Sequence, residues 1–377
     1  MRQRCSRTYH SGSQPRAPYT SPGSPPRLSH WAASLSIAAS LLLIAATSQL
    51  ASAQTPPTSG FTGDIGVYAV TISPTASEFL PISEVSSNPD QSFPLASSFK
   101  PLVLHAALRD VDAGVLGWRD RINIQVSDRS LDYGGYGRRS PVKKLGIKMI
   151  KRSHNTSTDV LFKTVGIGAP TAILDSWGLT NTRVVVPTRE FWLGLSGLVP
   201  SEFDNTDLVN DAAAFAADTR AGQIATVEAL RTLGAGFSVD QIDNATGAIY
   251  NFSLYNKATT FDILDDIDNI ATPREMVRAY WQMFFQNALS PDSDANFRKV
   301  MKRGDGRIDR KQINVPLRYW GGKGGSDLGM GSVAGYGETR KGNHVIYAIF
   351  GSHMTDEDGD WEIIDSNIGW VFDTLDQ

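Results

Sequence analysis

Three segments rich in β-branched and aromatic residues, separated by dense glycines, occupy the last hundred residues of the chain. They span residues 315–321, 332–339 and 344–350. This spacing is typical of an antiparallel meander. Residues 64–72 have the same alternating character near the other end of the chain, and residues 78–82 are a candidate partner strand. The sequence therefore predicts antiparallel strands near both ends of the chain.

Helical periodicity dominates the region between these strands. Thr272-Pro273 is a strong helix start, because proline at the first helical position loses no hydrogen bond. The 377 residues are 41% hydrophobic, which suffices for a buried core without covalent staples. The predicted helices span residues 99–108, 142–150, 158–165, 212–233, 273–287 and 360–375.

The first 53 residues form a leader with a basic start, an apolar run over residues 32–46 and the small-residue sequence Ala51-Ser52-Ala53. This pattern predicts a secretory signal peptide at 1–53, cleaved before Gln54, and a periplasmic or secreted mature protein at 54–377. The alternative is an uncleaved anchor, although the apolar run is short for a membrane span. The basic residues are Arg2, Arg4, Arg7, Arg16 and Arg27.

Cleavage would also remove Cys5, which is the single cysteine of the chain, so the mature protein would contain no disulfide. Loss of five positive charges changes 36 basic against 39 acidic residues into 31 against 39, a net charge of about −8. This balance argues against nucleic acid as a partner. We expect a monomer that acts on a small molecule, with no membrane-integral domain after cleavage.

Ser97 and Lys100 stand three residues apart where a Pro94-marked turn runs into an apolar helix. Residues at this spacing share a helix face, so the two side chains can touch. A serine hydroxyl is a weak nucleophile, and a lysine in a desolvated pocket can take its proton. Such a pair also occurs by chance in many long chains, so it needs support from other motifs.

Two acidic stretches carry weaker signals. The run over residues 262–268 is typical of a solvated face, and neither it nor residues 356–360 has a full set of metal ligands. The second stretch is interpreted as the polar lead-in to the last helix. We therefore predict no metal site and no cofactor.

Three motifs in order support a catalytic role for Ser97: Ser97-x-x-Lys100, Ser153-His154-Asn155 between two predicted helices, and Lys323-Gly324-Gly325. Together they resemble the Ser-x-x-Lys, Ser-Asp-Asn and Lys-Thr-Gly motifs of class A β-lactamases and penicillin-binding proteins. The similarity covers roughly residues 64–195 and 270–375. It implies an α+β fold of the α/β/α sandwich type, in which a helical lobe interrupts an antiparallel sheet.

The resemblance implies a role for each motif residue. Ser97 would attack a carbonyl carbon with Lys100 taking its proton, and Ser153 would relay a proton to the leaving nitrogen. Asn155 and Lys323 would bind the amide and the carboxylate of a substrate. The residues Gly325 and Ser326 complete the predicted substrate-binding set, and the backbone N–H groups of Ser97 and Ser326 would hold the oxyanion.

Glu190 is the candidate deacylating base, since it follows Ser153 at about the separation found in the family and lies in a Glu-x-x-Leu pattern. The alternative is a structural ion pair with Arg189 or Lys100. Gly194 stands where the family has an asparagine that helps hold the hydrolytic water. His154 and Gly324 likewise replace an acid and a hydroxyl of the motifs.

Residues 200–270 form an insertion relative to the family, long enough to cap the active site. The resemblance leaves three functions open. The first is a β-lactamase that confers antibiotic resistance. The second keeps the acyl-enzyme but acts as a D-Ala-D-Ala carboxypeptidase or as an esterase or amidase on another small substrate. The third is a catalytically silent binding module of the same fold.

Overall fold

A computed structural model describes residues 54–131, 139–304 and 312–377. The predicted leader, with Cys5, and the glycine-rich residues 134–137 lie outside these ranges. The strands are β1 (Asp64–Ile72), β2 (Pro81–Ser87), β3 (Phe93–Pro94), β4 (Arg121–Asn123), β5 (Arg139–Pro141), β6 (Ile270–Ala271), β7 (Leu317–Asp327), β8 (Met330–Thr339) and β9 (His344–Ser352).

Twelve α-helices occur in the described residues. They are α1 (Lys100–Asp112), α2 (Val142–Arg152), α3 (Asn155–Val165), α4 (Ala169–Ser176), α5 (Thr188–Ser196), α6 (Leu208–Ala217), α7 (Arg220–Leu233), α8 (Val239–Tyr250), α9 (Lys257–Ile267), α10 (Pro273–Phe285), α11 (Pro291–Met301) and α12 (Glu357–Leu375). The strong start predicted at Thr272-Pro273 is confirmed, because the Thr272 side chain accepts a hydrogen bond from the Glu275 N–H.

The main sheet has five strands in the order β2-β1-β9-β8-β7, and every neighbouring pair is antiparallel. The C-terminal meander predicted from the glycine spacing is therefore confirmed, and β1 from the other end of the chain joins it at β9. The predicted strand over residues 315–321 ends too early, since β7 continues through Asp327 and carries the whole Lys323-Gly324-Gly325 motif.

Helices cover both faces of this sheet. Successive residues of β1 point to opposite sides, and the residues on both sides are buried. Tyr68 and Val70 pack into a core that also contains residues of α1 and α10. Val67 and Ala69 pack into a second core with residues of α12. This is the predicted α+β architecture of the α/β/α type.

A further core lies within the helical region that follows α5. It joins apolar residues of α5 through α9, including Phe203 and Phe215, whose rings pack 5.7 Å apart. The single helix predicted over residues 212–233 is in fact two helices. The chain breaks after α6, and the Thr219 side chain caps α7 by accepting a hydrogen bond from the Gly222 N–H at 3.2 Å.

The described part of the chain contains no helix with the length and apolar character needed to span a membrane.

Candidate active site

The chain enters the site through a short strand whose end is held from two sides. Leu95 N–H donates to the Asn269 carbonyl at 2.8 Å, and Ala96 N–H donates to Asp268 Oδ2 at 2.6 Å. Ala96 has a φ of 43°, which is uncommon for a residue other than glycine. This turn places Ser97 in a 3-10 segment, Ala96–Phe99, that leads directly into α1.

Lys100 is the first residue of α1 and is fully buried. Its Nζ donates to the Ser153 carbonyl at 2.6 Å, to Ser153 Oγ at 3.2 Å and to Asn155 Oδ1 at 2.7 Å. Three of the predicted site residues, from two separate motifs, are thus in direct contact. Ser97 lies in the turn immediately before Lys100.

The junction between α2 and α3 gives Ser153 and Asn155 their positions. Ser153 ends α2 in the left-handed conformation, with a φ of 51°. His154 caps α3, because its Nδ1 accepts a hydrogen bond from Ser157 N–H at 3.1 Å. The histidine that departs from the family pattern therefore serves as a helix cap in this chain.

Strand β7 brings the third motif against Ser97. A Cβ atom at Gly325 would overlap the backbone nitrogen of Ser97 and lie 2.5 Å from the Leu95 carbonyl oxygen. Only glycine allows the strand to approach this closely. Ser326 lines the same pocket as Ser97, whereas Lys323 is fully buried and its Nζ donates to the Gly324 carbonyl.

Glu190 lies on α5 and is fully buried, with its Oε1 2.8 Å from Lys163 Nζ. The lining of the pocket beside Ser97 includes its neighbours Thr188 and Phe191 but not Glu190. Burial raises the pKa of Glu190, and the Lys163 ammonium opposes this rise. The role of Glu190 as a base stays a prediction, while the ion-pair alternative gains a partner, Lys163, that the sequence analysis did not name.

Two neighbours of Glu190 hold α5 in place. The Asp159 carboxylate accepts hydrogen bonds from the N–H groups of Thr188 at 2.7 Å and Arg189 at 3.0 Å. Burial, together with the charge of Glu190, raises the pKa of Asp159 to about 7. The Arg189 guanidinium donates to the carbonyl groups of Arg129, Gly234 and Phe237. It thereby links α5 to a segment that precedes it in sequence and to one that follows it.

Two further carboxylates line the pocket and were missed as site residues. Asp268 was interpreted as part of a solvated acidic face, and this is wrong, since its side chain is buried beside Ala96. Burial is the largest cause that raises the pKa of Asp268 to about 7, and the nearby Asp327 adds to it. The sequence signal for burial of Asp268 was its position between apolar residues, namely Ile267 and those of strand β6.

The helical region after α5 reaches this pocket through Tyr250. Its hydroxyl donates to Asp327 Oδ1 at 3.0 Å, and its ring packs 5.2 Å from that of Trp192. Both Asp327 and Trp192 line the pocket. The region predicted as an insertion therefore contacts two residues of the pocket lining, and its role as a cap stays a prediction.

Among the described residues, no group of three or more histidine, cysteine, aspartate or glutamate side chains is placed to hold a metal ion.

Solved structures with the same fold come from β-lactamases and penicillin-binding proteins. The chromosome-encoded β-lactamase of Vibrio parahaemolyticus is 14% identical, with a TM-score of 0.57 over 85% of this chain and 96% of that one. The β-lactamase of Sphaerobacter thermophilus is 19% identical, with a TM-score of 0.56 over 82% and 90%. PBP-A is 17% identical, with a TM-score of 0.55 over 84% and 92%.

No curated protein matches the sequence significantly. The model of the β-lactamase enzyme family, in contrast, matches residues 58–366, which is most of the chain and includes all three motifs. The family match and the fold agree with the motif resemblance. The chain therefore belongs to the β-lactamase enzyme family and is a serine hydrolase.

Proposed function

We propose that the mature protein opens a β-lactam, or a related small amide or ester, through an acyl-enzyme on Ser97. One observation carries the proposal: Lys100 Nζ, in the helical turn that follows Ser97, lies 3.2 Å from Ser153 Oγ and 2.7 Å from Asn155 Oδ1. A buried amine and a second hydroxyl are thereby in contact directly after the turn that carries the proposed nucleophile, and acyl transfer needs groups of these three kinds.

The acylation step follows from these contacts. Ser97 Oγ bonds to the substrate carbonyl carbon while its proton moves to Lys100 Nζ, which acts as the neutral amine and gives up one of its three donor contacts. The proton then passes through Ser153 to the leaving nitrogen or oxygen as the bond between that atom and the carbonyl carbon breaks. Water next attacks the acyl carbon, the bond to Ser97 Oγ breaks, and Oγ regains a proton. The products are a carboxylic acid and an amine or alcohol.

The backbone N–H groups of Ser97 and Ser326 are the proposed donors to the oxyanion. Their support is the close approach of β7, for which Gly325 leaves no side chain between strand and helix start. Preorganised donors of this kind typically lower the barrier by about 3–4 kcal/mol each. Asn155, which also lines the pocket, is the proposed partner of a substrate amide.

A hydrolase of another small ester or amide is the second candidate, and Gly194 favours it. A Cβ atom at Gly194 would point at Phe203, 3.4 Å away, and at Ile267, 3.6 Å away. This part of α5 therefore faces the core of the helical region, and we expect no side-chain amide from it to hold a hydrolytic water. Slow deacylation of β-lactams is the expected consequence.

A chromogenic cephalosporin and a simple activated ester, each tested on wild type and Ser97→Ala, separate these candidates. Faster Ser97-dependent turnover of the cephalosporin supports a β-lactamase. Turnover of the ester with only a stoichiometric burst on the cephalosporin supports the second candidate. A carboxypeptidase would instead release D-Ala from a peptide ending in D-Ala-D-Ala. Absence of any Ser97-dependent product or adduct would overturn the proposal and favour the silent binding module.

We also propose that the protein acts outside the cytoplasm after loss of its leader, and that it acts as a monomer. The support for action outside the cytoplasm is the basic and apolar pattern of residues 1–53. Light scattering on the mature protein checks the monomer, and a dimer mass would contradict it.

A further inference from the structure

One face of α3 carries three polar side chains at intervals of four residues, namely Asn155, Asp159 and Lys163. Residues at this spacing lie above one another along a helix. Asn155 lines the pocket beside Ser97. Asp159 accepts the N–H groups at the start of α5, and Lys163 Nζ lies 2.8 Å from Glu190 Oε1. This face of α3 thus connects the pocket to the predicted base on α5.

Lys163 and Glu190 form their ion pair almost out of water, since only 8% and 1% of their side chains are exposed. Lys163 Nζ also donates to the Ser127 carbonyl at 3.1 Å, which holds the ammonium from a second side. Glu190 Oε2 has no hydrogen-bond partner among the described residues, so it keeps its lone pairs for a proton donor. The ion pair therefore fixes one oxygen of the carboxylate and leaves the other to accept a proton.

The surroundings of Glu190 explain why it needs this cation. Burial favours the protonated acid and raises the pKa of Glu190, whereas the Lys163 ammonium is the strongest influence in the opposite direction and Arg189 adds a weaker one. Two further acids face Lys163 and Glu190. Asp159 is fully buried, and its pKa is raised by burial and by the charge of Glu190. Asp128 Oδ1 lies 4.0 Å from Lys163 Nζ. Loss of the lysine charge would therefore favour the protonated form of Glu190, which cannot act as a base.

We propose that Lys163 is a positioning residue for deacylation, whose ammonium orients Glu190 and keeps this buried carboxylate ionised. In the step that it serves, the oxygen of water bonds to the acyl carbon while one water proton passes to Glu190. The bond between that carbon and Ser97 Oγ then breaks, and Oγ takes the proton from Glu190. The inference rests on the proposed function, since it assumes an acyl-enzyme on Ser97 with Glu190 as its base.

The rate of deacylation, measured over the pH range in which the protein stays folded, tests this inference. Ser97 is acylated with penicillin or with a p-nitrophenyl ester, excess reagent is removed, and intact-mass spectrometry follows loss of the adduct. The wild-type rate should fall at acid pH as Glu190 gains a proton. Lys163→Gln keeps a hydrogen-bond donor but loses the charge, so its rate at neutral pH should be about tenfold lower and should recover as the pH rises. Lys163→Arg keeps the charge and should restore the wild-type profile.

A double-mutant cycle separates this role from a purely structural one. In the Glu190→Gln background the adduct should be lost slowly and without the fall at acid pH. Adding Lys163→Gln there should change the rate by less than about twofold, because Lys163 acts through Glu190. Glu275→Gln is the matched control for lost stability, since Glu275 is buried on α10 and accepts hydrogen bonds from the side chains of Asn181 and Thr182. It should destabilise the fold without moving the pH profile.

The inference alone is overturned, with Ser97 still acylated, if Glu190→Gln retains the fall at acid pH. The same holds if Lys163→Gln lowers the rate equally at every pH, or has an equal effect in both backgrounds. The comparison of wild type with Glu190→Gln uses no Lys163 variant, so it decides the point even where Lys163→Gln does not fold. If neither reagent acylates Ser97, the proposed function fails and the inference falls with it.

Discussion

The Tyr250 hydroxyl donates a hydrogen bond to Asp327 Oδ1 at 3.0 Å, across a separation of 77 residues in sequence. Tyr250 ends α8 in the helical region, and Asp327 ends β7 of the main sheet. This bond thus ties the predicted cap to the strand that forms one side of the Ser97 pocket.

Tyr250→Phe removes this bond and leaves the ring in place. We expect a loss of about 1 kcal/mol in the free energy of unfolding and a change in kcat/KM, because Asp327 loses a donor that orients it. Tyr255→Phe is the matched control. Tyr255 donates to the Asn205 carbonyl at 2.9 Å within the same helical region. It should show the stability loss in thermal unfolding without the kinetic change, and equal kinetics for both variants would contradict the assigned link to the pocket.

Ser97→Ala should abolish covalent labelling by penicillin or by a fluorophosphonate, since Ser97 Oγ is the proposed nucleophile. Intact-mass spectrometry measures the adduct. The neighbouring Ser98 supplies a control, because its Oγ donates to the Leu95 carbonyl at 2.9 Å and is buried. Ser98→Ala should keep the label. A label that persists in Ser97→Ala would assign the nucleophile to another residue.

Glu190→Gln should lower the free energy of unfolding by about 1–3 kcal/mol, because it removes the nearer carboxylate beside the buried Lys163 ammonium and leaves Asp128 Oδ1 at 4.0 Å. Chemical denaturation measures this loss. Glu228→Gln removes the exposed pair with Arg231 and should cost less than about 1 kcal/mol.

Stopped-flow kinetics on the same Glu190→Gln protein test its predicted catalytic role. As predicted for a deacylating base, we expect the burst to stay nearly intact while the acyl-enzyme persists about 100-fold longer. A burst and a steady-state rate that change by a similar factor would instead assign Glu190 to its ion pair with Lys163 alone.

His105 should make the fold sensitive to acid. It is buried on α1 between the rings of Trp177 and Phe297, and both of its ring nitrogens lack a partner in the described residues. Burial, with a contribution from Arg109, lowers the pKa of His105 from 6.5 to about 3. Below pH 6.5 the unfolded chain therefore binds a proton that the folded chain does not.

As the pH falls from 6.5 to about 3, the free energy of unfolding should therefore decrease by about 1.4 kcal/mol for each pH unit. His105→Leu removes this contribution, so its stability should depend less steeply on pH over the same range. Urea denaturation at several pH values measures the difference. Parallel curves for wild type and variant would show that the imidazole is not held neutral in the folded protein.

Expression of the full chain in a bacterial host with a secretory pathway tests the leader. We expect the exported protein to begin near Gln54, because the Ala51-Ser52-Ala53 sequence meets the small-residue requirement for cleavage. N-terminal sequencing decides the point. Material that stays in the cytoplasm and begins at Met1 would refute the prediction.

Sequence patterns predicted the helices and strands that depend on interactions between residues close together in sequence. The capped start of α10 at Thr272 and the glycine-spaced meander follow from nearest neighbours in sequence. The glycines of β7 misled the prediction, since glycine usually weakens a strand. Their reason is tertiary, because Gly325 must clear the backbone of Ser97.

The same limit applies to the charges of the site. The spacing and order of short motifs predict Ser97, Lys100 and Ser153 as site residues. Lys163 stood outside every motif, and its pair with Glu190 exists only because α3 and α5 pack together. Asp268 looked solvated for a similar reason, since its burial depends on the distant Ala96 turn.

Arg183 and Ile270 exchange backbone hydrogen bonds, at 2.8 and 3.0 Å, on either side of the helical region. The segment that contains α5 through α9 therefore begins and ends at nearly the same point in space. A segment with adjoining ends can lengthen, shorten or be exchanged for another without moving the sheet, because closing a longer loop adds little entropy cost. Evolution could thus change this helical region separately from the sheet. A graft of residues 188–269 onto a relative would transfer Asp268, Trp192 and Tyr250 together.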